Sequence, residues 1–251
     1  MANTDRATAP AVVRAVRILG YLAEHSTAQR LTAIAGAVDI PVSSTSAICN
    51  ALEAERMIVR RNEGYLLGPL NVELAQRYLS QLQPLSAFGD VVAGHEALRH
   101  ETVQMALLDG FDMLYVARHD SDQPFLIASA VGKRLPANCT AVGKASLALL
   151  DPARRQLPAS LPALTERSLS DPEALAKELE RTSARGYAID DEETSPGVLC
   201  LGVARATSRG EVYGISATFL KSRVTPELRK SIVADLVSAA DALFPPELRP
   251  G

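Results

Sequence analysis

From Ala11 to His25 the apolar residues Val12, Val16, Leu19 and Leu22 recur at three- and four-residue steps, while Arg14, Arg17 and Glu24 fall elsewhere on the wheel. That spacing predicts an amphipathic helix. Thr32 suits the N-cap of a short second helix through Val38, and Asp39 stands where a turn needs a residue tolerant of positive φ. Pro41, Ser43 and Ser44 open a third helix, with Ile48, Ala51, Leu52 and Met57 continuing its apolar face. MIVRRNEGYLLG then reads as two β-prone runs around Asn62-Glu63-Gly64, a three-residue loop containing glycine. Helix, turn, helix and hairpin in that order make a winged helix-turn-helix. A further helix from Pro69 to Leu82 aligns Leu70, Leu74, Tyr78 and Leu82, more apolar surface than a small domain needs to cover. It reads as a linker that packs on a partner and ends at Gln83-Pro84.

Beyond Leu85 the pattern changes. A helix over 85–100 leads into TVQMALLDGFDMLYVARHD, two strands around an Asp-Gly turn, and PFLIASAVG reads as another strand. TAVGKASLALL is helical. Ser170-Asp171-Pro172-Glu173 starts a helix that Gly186 ends, VLCLGVARA and VYGISATFL are strands flanking TSRGE, and Thr225-Pro226-Glu227 opens a last helix. The expected class is α+β, in three segments: 1–68, a linker helix at 69–84, and 85–251 with a mostly antiparallel sheet flanked by helices.

At 251 residues and 47% hydrophobic the chain can bury two cores. Its net charge of −3 supplies no whole-molecule basic field, so binding of nucleic acid has to rest on a local site. Residues 1–80 hold eight Arg (6, 14, 17, 30, 56, 60, 61, 77) and no Lys against seven acids, a weak positive tilt. Cys49, Cys139 and Cys200 lie far apart, which suits free thiols in a reducing cytoplasm rather than a disulfide framework. MANTDRATAP has no basic region followed by an apolar core, and no run approaches the ~18 apolar residues that cross a bilayer. A soluble cytoplasmic protein with no membrane partner is expected. His25, His95, His100 and His119 make no zinc spacing, and no phosphate loop or GxSxG is present, so neither metal nor cofactor is expected. Cys200 with Asp190 leaves a reactive thiol open, whether in a redox-sensing regulator or in an enzyme using His119-Asp120 as base and orienter.

RAVRIL (14–19), LTAIAGAVDIPVSST (31–45), GYLLGP (64–69), VGKRLPANCTAVGKA (131–145), RGYAIDDEETSPGVLC (185–200) and YGISATFLKSRVTPE (213–227) follow one another over roughly residues 11–243. Together they resemble the IclR family of bacterial transcriptional regulators. The resemblance implies a winged helix-turn-helix that binds a pseudo-palindromic double-stranded operator, and a GAF-like domain at 85–251 for effector binding and oligomerisation. It also implies a homodimer, in some members paired into a tetramer, acting as repressor or activator.

On that resemblance the helix starting near Val42 lies in the major groove and exposes Ser43, Ser44, Ser46 and Ala47 to base edges. Family members commonly carry a basic residue at the position of Val42 and Arg at that of Ala47, so this chain departs from the pattern at both. Arg14, Arg17, Arg30, Arg60 and Arg61 are then expected to supply phosphate contacts. The resemblance places the effector pocket partly at Thr140, Ala141, Val142 and Gly143, a helix start whose free N–H groups attract a carboxylate; by itself Thr140 reads first as a plain cap. Asp190 and Cys200 match ligand-facing residues in identity and spacing. Met105, Leu107 and Leu135 are expected to line an apolar wall, with Ser216 adding a hydroxyl. A small organic acid with a donor at its far end, such as a hydroxy acid, hydrated keto acid or hydroxybenzoate, would satisfy both the helix start and an ionised Asp190.

Overall fold

The computed structural model describes residues 9–82, 84–120, 130–155 and 157–245. It divides into two compact units between Gln81 and Leu82.

The first unit holds α1 (Pro10–Ala23), α2 (Leu31–Val38), α3 (Val42–Ala54), a hairpin of β1 (Ile58–Arg61) and β2 (Gly64–Leu67), and α4 (Leu70–Gln81). Ile18, Leu22, Ile34, Cys49, Ile58 and Tyr65 form its core. Because the core takes Ile18 and Leu22 from α1, Val12 and Val16 lie on the far side of that helix and are exposed, contrary to the expected stripe. Asp39 closes α2 in the left-handed region at φ 52°, as its position suggests, and the helix direction turns through 110° between α2 and α3. Thr32 is not the cap: Arg30 occupies that position, and its side chain makes no capping bond. On α3 the buried line is Thr45 and Cys49 with Ile48 and Leu52 beside it, so Ala51 is exposed, and Met57 lies beyond the helix end.

The hairpin loop is two residues, Asn62 and Glu63, because Gly64 already pairs with Arg61 as a strand residue. Asn62 takes the positive φ of 52°. Gly64 is needed for close approach: a Cβ there would stand 2.9 Å from the carbonyl carbon of Ala28 and from the oxygen of Gln29. Gln29 and Tyr65 exchange backbone hydrogen bonds of 2.9 and 2.8 Å beside it, fastening the wing to the segment before α2.

The second unit is a six-stranded antiparallel sheet in the order β5-β4-β3-β8-β7-β6. Its strands are β3 (Thr102–Asp109), β4 (Asp112–His119), β5 (Arg134–Pro136), β6 (Ala188–Asp191), β7 (Val198–Ala206) and β8 (Val212–Leu220). The helices are α5 (Leu85–Ala93), α6 (Ala141–Leu149), α7 (Pro172–Arg185) and α8 (Pro226–Leu243). Asp171 and Thr225 cap α7 and α8 with their side chains, and Gly186 ends α7 at φ 82°, as the sequence predicts. The helix expected over 85–100 stops at Ala93, and turns follow from Gly94. Of the strand expected over 124–132, residues 124–129 lie outside the described residues, and 131–132 form a turn.

Two glycines fix which sheet face meets α6. A Cβ on Gly202 would stand 2.8 Å from the carbonyl carbon of Ala141 and 2.9 Å from the amide nitrogen of Val142, and one on Gly214 would stand 2.9 Å from the Cβ of Val142. The start of α6 therefore lies directly on β7 and β8. The opposite face carries Met105, Tyr213, Ile215 and Phe219, with Tyr213 stacked on Phe244 just past α8 at 5.3 Å.

Candidate functional site

At about 100° per residue, Ser43, Ala47 and Asn50 share one exposed line on α3, opposite the buried Thr45, Cys49 and Leu52. Ser46 flanks that line half-buried, and Ser44 lies about a quarter-turn from it. Sequence reading missed Asn50, the residue on this face best able to make a bidentate contact, since Asn pairs with the N6 and N7 atoms of adenine. The i, i+4, i+7 spacing from Ser43 was its signal.

The Arg set is spread over the first unit. Arg14 is half-buried on the line of Ile18 and Leu22, whereas Arg17 is exposed. Arg30 pairs with Glu63 across the wing tip at 3.1 Å, both side chains largely exposed, so the pair is weak and exchangeable for a phosphate. Arg60 stands 5.8 Å from the Tyr65 ring centre, and Arg60 and Arg61, as neighbours on a strand, point to opposite faces of the wing. Together they offer a cation on each side. Arg60→Ala with Arg61→Ala is expected to weaken DNA binding alike for all sequences and to reduce the salt slope by about 1 to 2, at about 0.9 per phosphate contact. Anisotropy titrations at several salt concentrations check this, and unchanged affinity removes the wing from the interface.

In the second unit the strand registers place polar residues in two rows on the α6 face. One row is Thr102 on β3, Thr218 on β8, Cys200 on β7 and Asp190 on β6; the next is Gln104, Ser216 and Gly202. Thr102, Gln104, Ser216, Thr218 and Asp190 are all at most 3% exposed. Sheet alternation corrects two expectations: Met105 pairs with Ile215 and Leu107 with Tyr213, so both face away from α6 and line no wall of this site. Leu135 does lie on the α6 face, packed with Met113 and Tyr115 in the core there. Thr102, Gln104 and Thr218 were missed, although TVQ and SAT carry the alternation that reveals them.

Above this floor, Thr140 caps α6 by accepting from the Gly143 amide at 3.0 Å. The cap leaves Ala141 and Val142 in the first helical turn, where an N–H has no carbonyl four residues back. Gly143 itself is pressed on the turn at 137–139: a Cβ would lie 2.2 Å from the Ala137 oxygen.

Asp190 organises the loop after β6. Its Oδ1 accepts from the amides of Glu193 at 2.7 Å and Thr194 at 3.1 Å, and its Oδ2 contacts the Thr194 hydroxyl. That hydroxyl is also 2.9 Å from the Cys139 carbonyl oxygen. Glu193 is buried against the ammonium of Lys144 on α6. Ser168 donates to the Glu193 carbonyl at 2.7 Å and Thr165 to that of Glu192 at 2.8 Å, while Asn138 donates to the carbonyls of Pro162 and Leu169. Segments 137–144, 162–169 and 190–194 are thus knitted into one clasp beside the floor. Outside it, Asp191 and Glu192 pair with Arg167 and Lys221. The lone Lys144 in AVGKASLAL was the clue to this pair.

Burial raises the Asp190 carboxyl above its usual range despite the hydrogen bonds from Thr194 and the charge of Lys144. Glu193 is pushed up to about 7, again chiefly by burial and against the pull of Lys144. Burial also raises the Cys200 thiol well above its ordinary value and that of Cys139 less far. These thiols are poor thiolates, which speaks against thiol catalysis or thiolate-based sensing at Cys200. His119 does not serve it as a base: it pairs with Val103 on the far face, its ring 2.9 Å from the Arg99 carbonyl oxygen, and Asp120 pairs with Arg118. Among the described residues no group of three or more His, Cys, Asp and Glu could hold a metal ion. No single described helix is long and apolar enough to cross a membrane.

A winged helix-turn-helix in the first unit and a buried polar sheet face under a helix start in the second are the parts of a DNA-binding regulator. Comparison with known proteins bears this out: the IclR helix-turn-helix domain matches residues 11–62, and the bacterial transcriptional regulator IclR C-terminal domain matches residues 76–244. The chain belongs to the IclR family of transcriptional regulators. It is 31% identical to the HTH-type transcriptional regulator Rv1719 of Mycobacterium tuberculosis, over 93% of this chain and 92% of that one. The fold matches an IclR transcriptional regulator from Alicyclobacillus acidocaldarius with a TM-score of 0.81 at 24% identity, over 93% and 97% of the two chains. It also matches an IclR homolog from Microbacterium hydrocarbonoxydans crystallised with 4-hydroxybenzoate, with a TM-score of 0.75 at 21% identity over 93% and 98%.

Proposed function

We propose that this regulator controls a catabolic operon, as repressor or activator, and that a small organic acid bound between the start of α6 and the polar floor sets its affinity for the operator. The observation that carries this reading is the burial of Thr102, Gln104, Ser216 and Thr218, with Cys200, on one sheet face below α6. A face meant only for packing is ordinarily apolar, since Ser, Thr and Gln are mostly exposed in folded proteins. Here they share the sheet face of Gly202 and Gly214, on which the start of α6 lies. Hydroxyl and amide groups can grip the body of a hydroxy, keto or hydroxyaromatic acid whose carboxylate meets the N–H groups of Ala141 and Val142. That a fold neighbour binds 4-hydroxybenzoate is in keeping with this chemistry.

The DNA side of the proposal assigns base contact to Ser43, Ser46, Ala47 and Asn50 and backbone contact to Arg17, Arg30, Arg60 and Arg61, with Ser44 and Arg14 at the margins. A homodimer is the working form, since half-sites one helical turn apart need two wings. Its support is the exposure of Val72, Leu74 and Tyr78 on α4, which buries no residue of its own, together with Val12 and Val16 on α1. A thermal-shift screen of small organic acids, 4-hydroxybenzoate included, tests the effector site. A binder is expected to raise the melting temperature of the wild type and not of Ser216→Leu, whose side chain fills the floor. Equal shifts in the two proteins place the ligand elsewhere.

A further inference from the structure

The clasp beside the floor encloses two carboxyl groups and one ammonium group, and its hydrogen bonds do not balance if both acids are ionised. The Thr194 hydroxyl has one proton but touches two acceptors, Asp190 Oδ2 and the Cys139 carbonyl oxygen. With Asp190 ionised, one of those contacts lacks a hydrogen. With a proton on Asp190 Oδ2, that oxygen donates to Thr194, Thr194 donates to Cys139, and Oδ1 accepts the two amide N–H groups as a carbonyl oxygen does. Every contact is then satisfied.

Charge counting leads to the same place. Lys144, wholly buried on α6, is matched by Glu193, whose Oε1 it contacts and whose Oε2 has no partner. The other titratable groups facing Asp190 are Cys200 on β7, Tyr115 on β4 and Cys139 on the 137–139 turn, all neutral because burial raises each of them. Asp191 and Glu192 on its own loop are matched outside the clasp by Arg167 and Lys221. With Glu193 ionised against Lys144, a charged Asp190 would be a second buried anion sharing that one cation, an arrangement that costs several kcal/mol per ion and is ordinarily relieved by protonation.

We propose that Asp190 is a neutral carboxylic acid at physiological pH, its proton on Oδ2, and that this lets the face below α6 take an organic anion whose far end carries no hydrogen-bond donor. The second clause rests on the effector site proposed above; the first does not. It extends the ligand class to plain carboxylic acids with no donor at the far end, and it makes effector affinity fall about tenfold per pH unit once the clasp loses its proton.

Carbon-13 NMR of the side-chain carboxyls in the full chain, without ligand or DNA, reads the proton directly. Asp190 is expected to be in the acid form at about pH 7, where an ordinary Asp is ionised. Asp190→Asn sets an amide N–H2 where the acid O–H points, and is expected to melt within about 2 °C of the wild type, whereas Asp190→Ala melts well below it. Glu193→Gln removes the anion that matches Lys144, so Asp190 is expected to ionise at least one pH unit lower in that protein. An ionised Asp190 at about pH 7 overturns the proposal, as does an Asp190→Asn protein no more stable than Asp190→Ala. Either failure would leave the effector site itself standing, because its own test is the acid-induced shift in Ser216→Leu and wild type.

Discussion

Gly143→Ala is expected to melt the effector unit about 10 °C below the wild type and to abolish any response to an organic acid. The cause is local. A methyl group at residue 143 would lie 2.2, 2.4 and 2.6 Å from the oxygen, Cα and carbonyl carbon of Ala137, all backbone atoms that no side-chain rotation moves. The start of α6 must therefore lift off the 137–139 turn, at a cost of about 3 kcal/mol or more. Lifting it also breaks the seating of Ala141 and Val142 on Gly202 and Gly214, so the N–H groups leave the polar floor. Gly36→Ala is the control: Gly36 is helical and exposed, nothing stands within 4 Å of its Cβ position, and the change is expected to be neutral or stabilising by up to about 1 kcal/mol. Calorimetry of both variants checks the contrast. Equal melting temperatures for Gly143→Ala and wild type would mean that α6 is not seated as described.

Lys144→Met is expected to destabilise by up to about 3 to 5 kcal/mol at alkaline pH, where buried Glu193 is ionised and left with no cation. The pH dependence has a definite sign. Glu193 titrates at about 7 in the folded chain against 4.5 ordinarily, so the stability linked to its proton is full below about 4.5 and is lost as pH rises through about 7. Removing Lys144 takes away a charge that lowers the Glu193 value, so the loss extends to higher pH. The cost of Lys144→Met should thus be smallest in acid and grow as pH rises through 7. Adding Glu193→Leu should restore most of the stability, because an apolar pair of similar size replaces the ions. A cost that is flat with pH would contradict the buried pair.

Much of this was legible along the chain. The strands VLCLGVARA and VYGISATFL, the caps at Asp171 and Thr225 and the stop at Gly186 all rest on local chemistry, and each stands where expected. What periodicity alone does not decide is which side of an element becomes core. Val12 and Val16 keep perfect helical spacing, yet the core takes Ile18 and Leu22. Likewise Met105 and Leu107 are apolar and near the site in sequence, but alternation puts Gln104 and Thr102 on the α6 face instead. Fixing that parity needs Gly202 and Gly214, which mark where a helix touches the sheet. The Lys144–Glu193 pair joins residues 49 apart in the chain, and no local rule connects them.

On the DNA side, α3 carries no Arg, and on the proposed reading Asn50 offers the one bidentate contact on its exposed line. On that reading most of the affinity comes from the wing and flanking Arg residues, and the switch lies in the second unit. The most direct test is the dissociation constant of the full chain for labelled DNA from upstream of its own gene, measured by anisotropy at fixed salt with and without a saturating acid that stabilises the protein. The account predicts a change of at least about fivefold in the wild type, and none in Gly143→Ala. An identical constant with and without an acid that demonstrably binds the α6 site would contradict it.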